Sequence, residues 1–217
     1  METRRRAGVG CGTTRACWKP SLDPKVEVQN LAQDGLSSDQ LLANLETEPT
    51  STAVKDAEIV VLGIGGADLN EGDDNLQAGS CRAEACYASV LKEFAKNFEA
   101  IVTGIGERRG GQKTLLRAIT QPNVFPGAED VLPPFLKPVA AKVGIYQART
   151  ANRAICQTMT KHGGRCIDVL HAFNGPSGME NAYRKGLLNH EDCCYPSAKG
   201  QRLMADLLIQ TGLAPLR

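Results

Sequence analysis

The sequence predicts an α/β domain in which a parallel sheet lies between two layers of helices. Strand-like segments alternate along the chain with segments whose apolar residues recur every three or four positions. One strand-like segment, residues 58–62 (EIVVL), is an almost continuous apolar run, which is typical of a strand buried on both faces. Together these two observations favour a sheet that is covered by helices on each side.

The first half of the chain predicts two strands and two helices. Residues 25–30 (KVEVQN) alternate between polar and apolar, and a helix over 38–45 follows, with Ser37 or Ser38 placed to cap it. After the strand at 58–62, a loop rich in glycine and aspartate is expected to run to about residue 80. The next helix, over 83–108, carries one apolar stripe, formed by Val90, Phe94, Phe98, Ile101 and Ile105.

The second half continues the alternation. Residues 114–120 (TLLRAIT) predict a strand, residues 121–134 a proline-rich loop, and residues 139–161 a helix that Gly163 and Gly164 end. Residues 166–170 (CIDVL) predict the last strand, and 197–211 a helix that begins near Ser197. Connections between parallel strands are almost always right-handed, so this order predicts a doubly wound, flavodoxin-like α/β/α sandwich.

Composition and charge exclude several classes of function. The chain of 217 residues fits one domain, and we expect residues 11–217 to form it behind an unstructured or vestigial N-terminus at 1–10. A net charge of +1 offers no field for a nucleic acid. No apolar run approaches the ~20 residues that span a bilayer, and no apolar stretch of a secretory signal follows the first arginines. We expect a monomer that needs no cofactor or metal.

Eight cysteines point to an oxidising compartment. Three short-range pairs are candidates for disulfides: Cys11 with Cys17, Cys81 with Cys86, and Cys156 with Cys166. Metal binding is the weaker alternative, because there is no CxxC motif and the three histidines do not cluster. The adjacent Cys193 and Cys194 are either a vicinal disulfide or two buried thiols. The cysteine pattern is therefore that of an exported protein, without a visible export signal.

Three segments are predicted to meet at the carboxyl ends of the strands, where open α/β sheets bind ligands. They are residues 30–35 (NLAQDG), residues 64–69 (IGGADL) and residues 192–197 (DCCYPS). Glycines in the first two allow close approach to the backbone, and a backbone N–H there can point at an anion.

These three segments resemble ordered blocks of the SGNH (GDSL-type) ester hydrolases. Residues 30–35 resemble the N-x-A-x-x-G block, which makes Gly35 the oxyanion glycine by resemblance. Residues 65–68 resemble G-x-N-D, with Ala67 at the asparagine position and Asp68 after it. Residues 192–197 resemble D-x-x-H-P-S, with Asp192 at the aspartate position and Tyr195 at the histidine position. The resemblance spans roughly residues 11–213 and implies hydrolysis of carboxylic esters on lipids or carbohydrates.

The departures from these blocks predict impaired catalysis. No Gly-Asp-Ser supplies a nucleophile, and the nearest alternatives, Cys11, Thr13 and Thr14, have no recognisable strand before them. A tyrosine is protonated at neutral pH and cannot replace the histidine as base. We therefore expect the first, central strand of the family to be missing and the true start of the chain to be lost. His190, two residues before Asp192, is a poor substitute base because its register is shifted.

The sequence leaves two main readings open besides an impaired esterase. One is a pseudoenzyme that binds acyl or glycan ligands at Gly35, Gly65, Ala67 and Asp68 without turnover. The other is a truncated, non-functional fragment. An unrelated flavodoxin-like enzyme is a weaker alternative, since no phosphate-binding glycine loop follows a strand.

Overall fold

In the computed structural model, a single parallel sheet of five strands organises the chain. The structure describes residues 6–8 (backbone only), 27–128, 130, 132–191 and 194–212. The strands are β1 (Arg6–Gly8), β2 (Glu27–Gln29), β3 (Ala57–Leu62), β4 (Leu115–Ile119) and β5 (Arg165–Ile167), and they lie in the order β2-β1-β3-β4-β5. Every adjacent pair is parallel, as the alternation of elements predicts.

Seven α-helices connect and follow the described strands. Two long ones, α4 (Ala88–Arg108) and α5 (Ala140–Lys161), pack against each other. The shorter ones are α1 (Ser38–Asn44), α2 (Thr50–Asp56), α3 (Asn70–Gln77), α6 (Val169–Asn174) and α7 (Ala198–Gln210). All five residues of β4 are buried, and because successive side chains of a strand point to opposite faces, the sheet is covered on both sides. The predicted three-layer α/β/α sandwich is confirmed.

The prediction that the first strand is missing was wrong. Arg6–Gly8 lies between β2 and β3 and pairs in parallel with both, Ala7 opposite Val28 on one side and Ile59 on the other. The two neighbouring strands supply the hydrogen-bonding edges, so a three-residue Arg-Ala-Gly segment needs no apolar pattern of its own to join the sheet. The other residues of 1–10 lie outside the described ranges, and the division of the chain at residue 10 stays a prediction.

The apolar stripe predicted on the long helix is confirmed. Phe98 and Ile101 on α4 are 1% and 0% exposed, and Val90, Phe94 and Ile105 are buried with them. A short 3₁₀ helix, Ala83–Tyr87, occupies the first part of the predicted 83–108 helix. Burying five such side chains along one face stabilises the packing of α4 by roughly 1.5–3 kcal/mol each.

Two predicted boundaries were wrong. The predicted strand over 166–170 ends at Ile167, because Asp168 caps α6 by accepting a hydrogen bond from the His171 N–H. The polar stretch expected to be a loop to about residue 80 contains a 3₁₀ helix, Ala67–Leu69, followed by α3. Residues with low helix propensity form helices there because tertiary packing outweighs a preference of a few tenths of a kcal/mol per residue.

Two of the three expected disulfides are present in the described part of the chain. Cys81 is bonded to Cys86 and Cys156 to Cys166, the latter joining α5 to β5. Cys11 and Cys17 lie outside the described residues, as does Cys193. No described helix is long and apolar enough to cross a membrane, and no described cluster of histidine, cysteine or acidic side chains could hold a metal ion.

Candidate functional site

The loop after β2 brings Gly35 to the carboxyl edge of the sheet. Its first turn is formed by Asn30, whose side-chain oxygen accepts a hydrogen bond from the Ala32 N–H at 3.0 Å. Gly35 is exposed and has φ of +71°, in the left-handed region that favours glycine. The loop therefore reaches α1 through a backbone turn at Gly35 that an L side chain would strain.

The start of α1 follows directly and is capped as the sequence predicts. Ser37 is the N-cap residue, and its N–H donates to Gln40 Oε1 at 3.1 Å. The Ser37 hydroxyl donates to Asp39 Oδ1 at 2.5 Å, and this hydrogen bond lowers the pKa of the Asp39 carboxyl. These contacts hold the chain immediately after Gly35 in one conformation.

The loop after β3 carries Gly65, Ala67 and Asp68. Gly65 has φ of +119°, and a Cβ atom there would lie 2.8 Å from the ring of Phe94. Both the backbone conformation and the space therefore require glycine. Ala67 begins the short 3₁₀ helix and offers only a methyl group, so this position has no side-chain donor for an oxyanion.

Asp68 joins the two glycine loops. Its two carboxylate oxygens each lie 3.1 Å from the Ser38 N–H, and the Ser38 hydroxyl donates to Oδ1 as well. Asn97 on α4 donates to the Ser38 hydroxyl oxygen at 3.1 Å, and Ser38 is fully buried. Asp68 thus braces the loop after β3 against the start of α1, through a residue 30 positions away.

Tyr195 reaches across to the loop after β2. Its hydroxyl donates a hydrogen bond to Asp34 Oδ1 at 2.5 Å, next to Gly35. The Tyr195 carbonyl oxygen accepts from the Asn189 N–H at 2.9 Å, which holds the loop before α7 in a hairpin-like shape. The phenol is therefore a donor to a carboxylate at the position where the resemblance expects a histidine. Sequence reasoning missed Asp34, because nothing in the local pattern marks it.

Several predicted site residues lie outside the described ranges. They are Asp192, the expected orienting carboxylate, and the alternative nucleophiles Cys11, Thr13 and Thr14. The objection that no strand precedes those three is removed, because β1 ends three residues before Cys11.

The contacts of His190 and His171 are with residues other than those of the two glycine loops. His190 is exposed and packs against Tyr183, with ring centroids 4.5 Å apart and the two ring planes tilted by 38°. His171 Nδ1 lies 2.6 Å from Asp168 Oδ2, in an exposed pair at the start of α6. This pair follows β5, two strand spacings or roughly 10 Å from β3. Its D-x-x-H spacing is a pattern that the sequence alone displays.

The amide side chains of Gln121 and Asn152 hold the loop after β3 against the chain that follows β4. Gln121, just after β4, donates through Nε2 to the Ile64 carbonyl oxygen at 2.7 Å. Asn152 on α5 exchanges two hydrogen bonds with the backbone of Gln121, at 2.6 and 2.9 Å. The loop that contains Gly65 is thereby tied to β4 and α5, so its backbone is held in place from both sides.

The fold is similar to that of several lipases and esterases of known structure. A lipase from a goat rumen metagenome, Lip_vut3, is 20% identical with a TM-score of 0.75, and the alignment covers 98% of each chain. The extracellular lipase of Streptomyces rimosus is 15% identical with a TM-score of 0.62 over 96% of this chain and 98% of that one. A catalytic mutant of the acetylxylan esterase Axe2 from Geobacillus stearothermophilus is 18% identical with a TM-score of 0.56, covering 87% and 74%.

At these sequence identities the similarity establishes the fold alone, and any catalytic activity has to be inferred from the residues of the site. No family model matches the chain, and no curated protein matches it either.

Proposed function

We propose that this protein is a carboxylic ester hydrolase of the SGNH (GDSL) type whose catalytic activity is impaired. The hydrogen bond from Tyr195 to Asp34 carries the proposal, since it puts a phenolic donor where a proton acceptor is needed. Acyl transfer requires a base that takes the proton of the nucleophile, and a tyrosine with an ordinary pKa near 10 keeps its own proton at neutral pH.

The proposed oxyanion site also lacks one of the donor groups that the resemblance expects. Gly35 and Gly65 would present backbone N–H groups to a developing oxyanion, whereas Ala67 lacks the amide that the resemblance expects. Loss of one such donor costs about 10²–10³ in rate. Asp192 would orient a histidine that the chain does not have at position 195. Ester binding therefore survives better than turnover in this proposal.

The ligand class follows from the fold and the neighbours. The similar structures are described as lipases, a phospholipase A1 and acetylxylan esterases, so the proposed ligands are acyl or acetyl esters of lipids or carbohydrates. No cofactor or metal takes part in this chemistry. Two disulfides support an oxidising compartment, and we propose that the protein is exported.

Hydrolysis of p-nitrophenyl acetate by the purified chain tests the impairment. The wild type and Asp192→Ala are expected to give the same rate, close to the uncatalysed background. Turnover well above background that disappears in Asp192→Ala would show that a working nucleophile and base exist. In that case Cys11→Ala, Thr13→Ala and Thr14→Ala would identify the nucleophile.

A non-catalytic ligand-binding protein, a pseudoenzyme, is the second candidate function. The exposed contact between Tyr195 and Asp34 favours a pseudoenzyme, because this contact joins two loops at the carboxyl edge of the sheet without supplying a nucleophile or a base. Saturable binding without turnover would support it. Absence of both turnover and cooperative thermal unfolding would instead support a non-functional fragment.

A further inference from the structure

We propose that Tyr195 and Asp34 form a binding site for a neutral carbohydrate, so that the ligand of this edge is a glycan rather than a long acyl chain. The inference rests on the proposed function in one respect: it uses the same carboxyl edge of the sheet. It adds the two residues that recognise the ligand and the class of molecule they select.

The geometry holds the two side chains together and leaves them accessible. They are 161 positions apart in the chain, yet the Tyr195 hydroxyl and Asp34 Oδ1 are 2.5 Å apart. Tyr195 is 42% exposed, and Asp34 is exposed as well. The phenol ring therefore presents part of its surface to solvent while its hydroxyl fixes its orientation.

The backbone before Tyr195 is held in an uncommon conformation. Cys194 has φ of +82°, in the left-handed region that non-glycine residues rarely adopt. Such strain persists where the surrounding structure enforces it, and it occurs preferentially at binding and active sites. The hydrogen bonds from the Asn189 N–H to the Tyr195 carbonyl and from the Ser197 N–H to the Leu187 carbonyl, both at 2.9 Å, enforce it here. The direction of the Tyr195 side chain is therefore set before any ligand arrives.

The chemistry of the pair matches a pyranose ring. An aromatic face offers apolar contact area to the C–H face of a sugar at low conformational cost. A carboxylate has about four acceptor positions, and Tyr195 uses one of them, which leaves Asp34 able to accept from sugar hydroxyls. Hydrogen bonds to an ionised acceptor are roughly twice as strong as neutral ones. The Tyr195 ring can thus pack on the apolar face of a sugar while the adjacent Asp34 carboxylate accepts hydrogen bonds from the hydroxyl groups of the same sugar.

The polarity of the surroundings argues against a long acyl chain. Asn30, Ala32, Gln33, Asp34 and Gly35 are all exposed in the loop after β2, and four of these five are polar or glycine. Among the described residues, large apolar side chains are exposed only singly: Val28, Met179, Tyr195 and Ile209, from β2 to the end of α7. Binding an alkyl chain requires contiguous apolar area, at about 25 cal/mol per Å² buried.

Equilibrium titration tests the proposal without requiring turnover. Xylotetraose and cellotetraose are titrated into the full chain by calorimetry, with decanoate as the apolar probe. We expect saturable binding of at least one oligosaccharide and none of decanoate. Tyr195→Ala and Asp34→Ala should each weaken binding about tenfold or more, since the first removes the ring that packs on the sugar and the second removes the charged acceptor. Tyr195→Phe, which keeps the ring, should weaken it less than Tyr195→Ala does.

Ile209→Ala is the matched control, since it removes an exposed large apolar side chain near the end of α7, outside both loops. It should bind as the wild type does, and thermal unfolding of each variant verifies that the fold is intact. Saturable decanoate binding, no oligosaccharide binding, or oligosaccharide binding unchanged in both alanine variants would each overturn the proposal. Because p-nitrophenyl acetate hydrolysis is measured separately, background hydrolysis together with no glycan binding would reject this inference alone, whereas turnover that disappears in Asp192→Ala would reject the proposed impairment.

Discussion

The hydroxyl of Tyr87 donates a hydrogen bond to the carboxylate of Asp73, joining the 3₁₀ helix before α4 to α3. Tyr87 is fully buried and follows the Cys81–Cys86 disulfide. Burial raises the pKa of Asp73, and it also raises the pKa of Tyr87, with the hydrogen bond to Asp73 adding to the effect. Asp73 is on α3, which directly follows the 3₁₀ helix that carries Ala67 and Asp68, so the pair supports that segment.

Asp73→Asn is expected to change the pH dependence of stability. A carboxyl whose folded pKa is raised contributes stability below its unfolded pKa of about 3.8, and this contribution is lost as pH rises through the folded pKa. The amide variant stays neutral, so the free energy of unfolding of Asp73→Asn relative to wild type should rise between pH 3 and pH 7. Urea denaturation at both pH values measures it. Asp74→Asn, at an exposed neighbour, should give a much smaller change, and equal changes in both variants would contradict the assignment.

Glu99→Gln is expected to show the opposite pH dependence. Hydrogen bonds from His162 at 2.8 Å and Lys161 at 2.6 Å, with Thr158 at 3.0 Å, lower the pKa of the Glu99 carboxyl to about 2. Its contribution is present above the unfolded pKa of about 4.5 and is lost as pH falls towards 2. Because the group is partly exposed, the loss at pH 6 should be only about 1 kcal/mol.

Denaturant titrations from pH 6 down to pH 2 check this expectation. The difference between Glu99→Gln and wild type should shrink steadily below pH 4.5 and be smallest at the acid end of the range. Glu93→Gln removes an exposed carboxylate on the same helix and serves as control. A difference that stays constant over the whole pH range would show that the carboxylate charge plays no part.

Asp68→Ala is expected to destabilise the fold because it leaves the buried Ser38 N–H and hydroxyl without their acceptor. An unsatisfied buried polar group costs about 1–3 kcal/mol. Asp68→Asn keeps one side-chain oxygen and should cost less. The midpoint of chemical denaturation measures both, with Glu71→Ala as an exposed control on the neighbouring helix. Equal stability of Asp68→Ala and wild type would contradict the bracing role.

Gly72→Ala and Gly106→Ala are expected to change stability in opposite directions. A Cβ atom at Gly72 would lie 2.2 Å from the buried ring of Tyr87, so the variant should lose about 1–3 kcal/mol. Nothing lies within 4 Å of a Cβ atom at Gly106 on α4, and alanine there should gain up to about 1 kcal/mol through helix propensity. Thermal unfolding of the two variants beside wild type tests both signs. A stabilised Gly72→Ala would show that the ring of Tyr87 can move aside.

The long periodic elements could be predicted from the sequence because their burial pattern is local. β3, β4, α4, α5 and α7 are predicted within a few residues of their bounds, since a continuous apolar run is typical of a strand buried on both faces and an apolar period of 3.6 indicates the buried face of a helix. Helix caps at Ser37 and Ser197 were predictable for the same reason, as each bonds a backbone or side-chain group within three residues. The two short-range disulfides also follow from spacing.

Within the candidate site, the sequence identified positions but not contacts. The ordered blocks predict Gly35, Gly65, Ala67, Asp68 and Tyr195 as site residues, but they do not predict that Asp68 contacts Ser38 or that Tyr195 contacts Asp34. Ser38 lies 30 positions from Asp68, and Asp34 lies 161 positions from Tyr195. No local sequence pattern encodes which distant side chain a carboxylate or a phenol will contact.

The sequence by itself determined the class of fold, the core stripe of α4 and the glycine-bearing loops at the carboxyl edge. Only the tertiary structure decided that Arg6–Gly8 completes the sheet and that Tyr195 binds Asp34. The physical reason is the same in both cases. A three-residue strand and a single phenol have no stability of their own, and both are placed by hydrogen-bonding groups that distant parts of the chain bring to them.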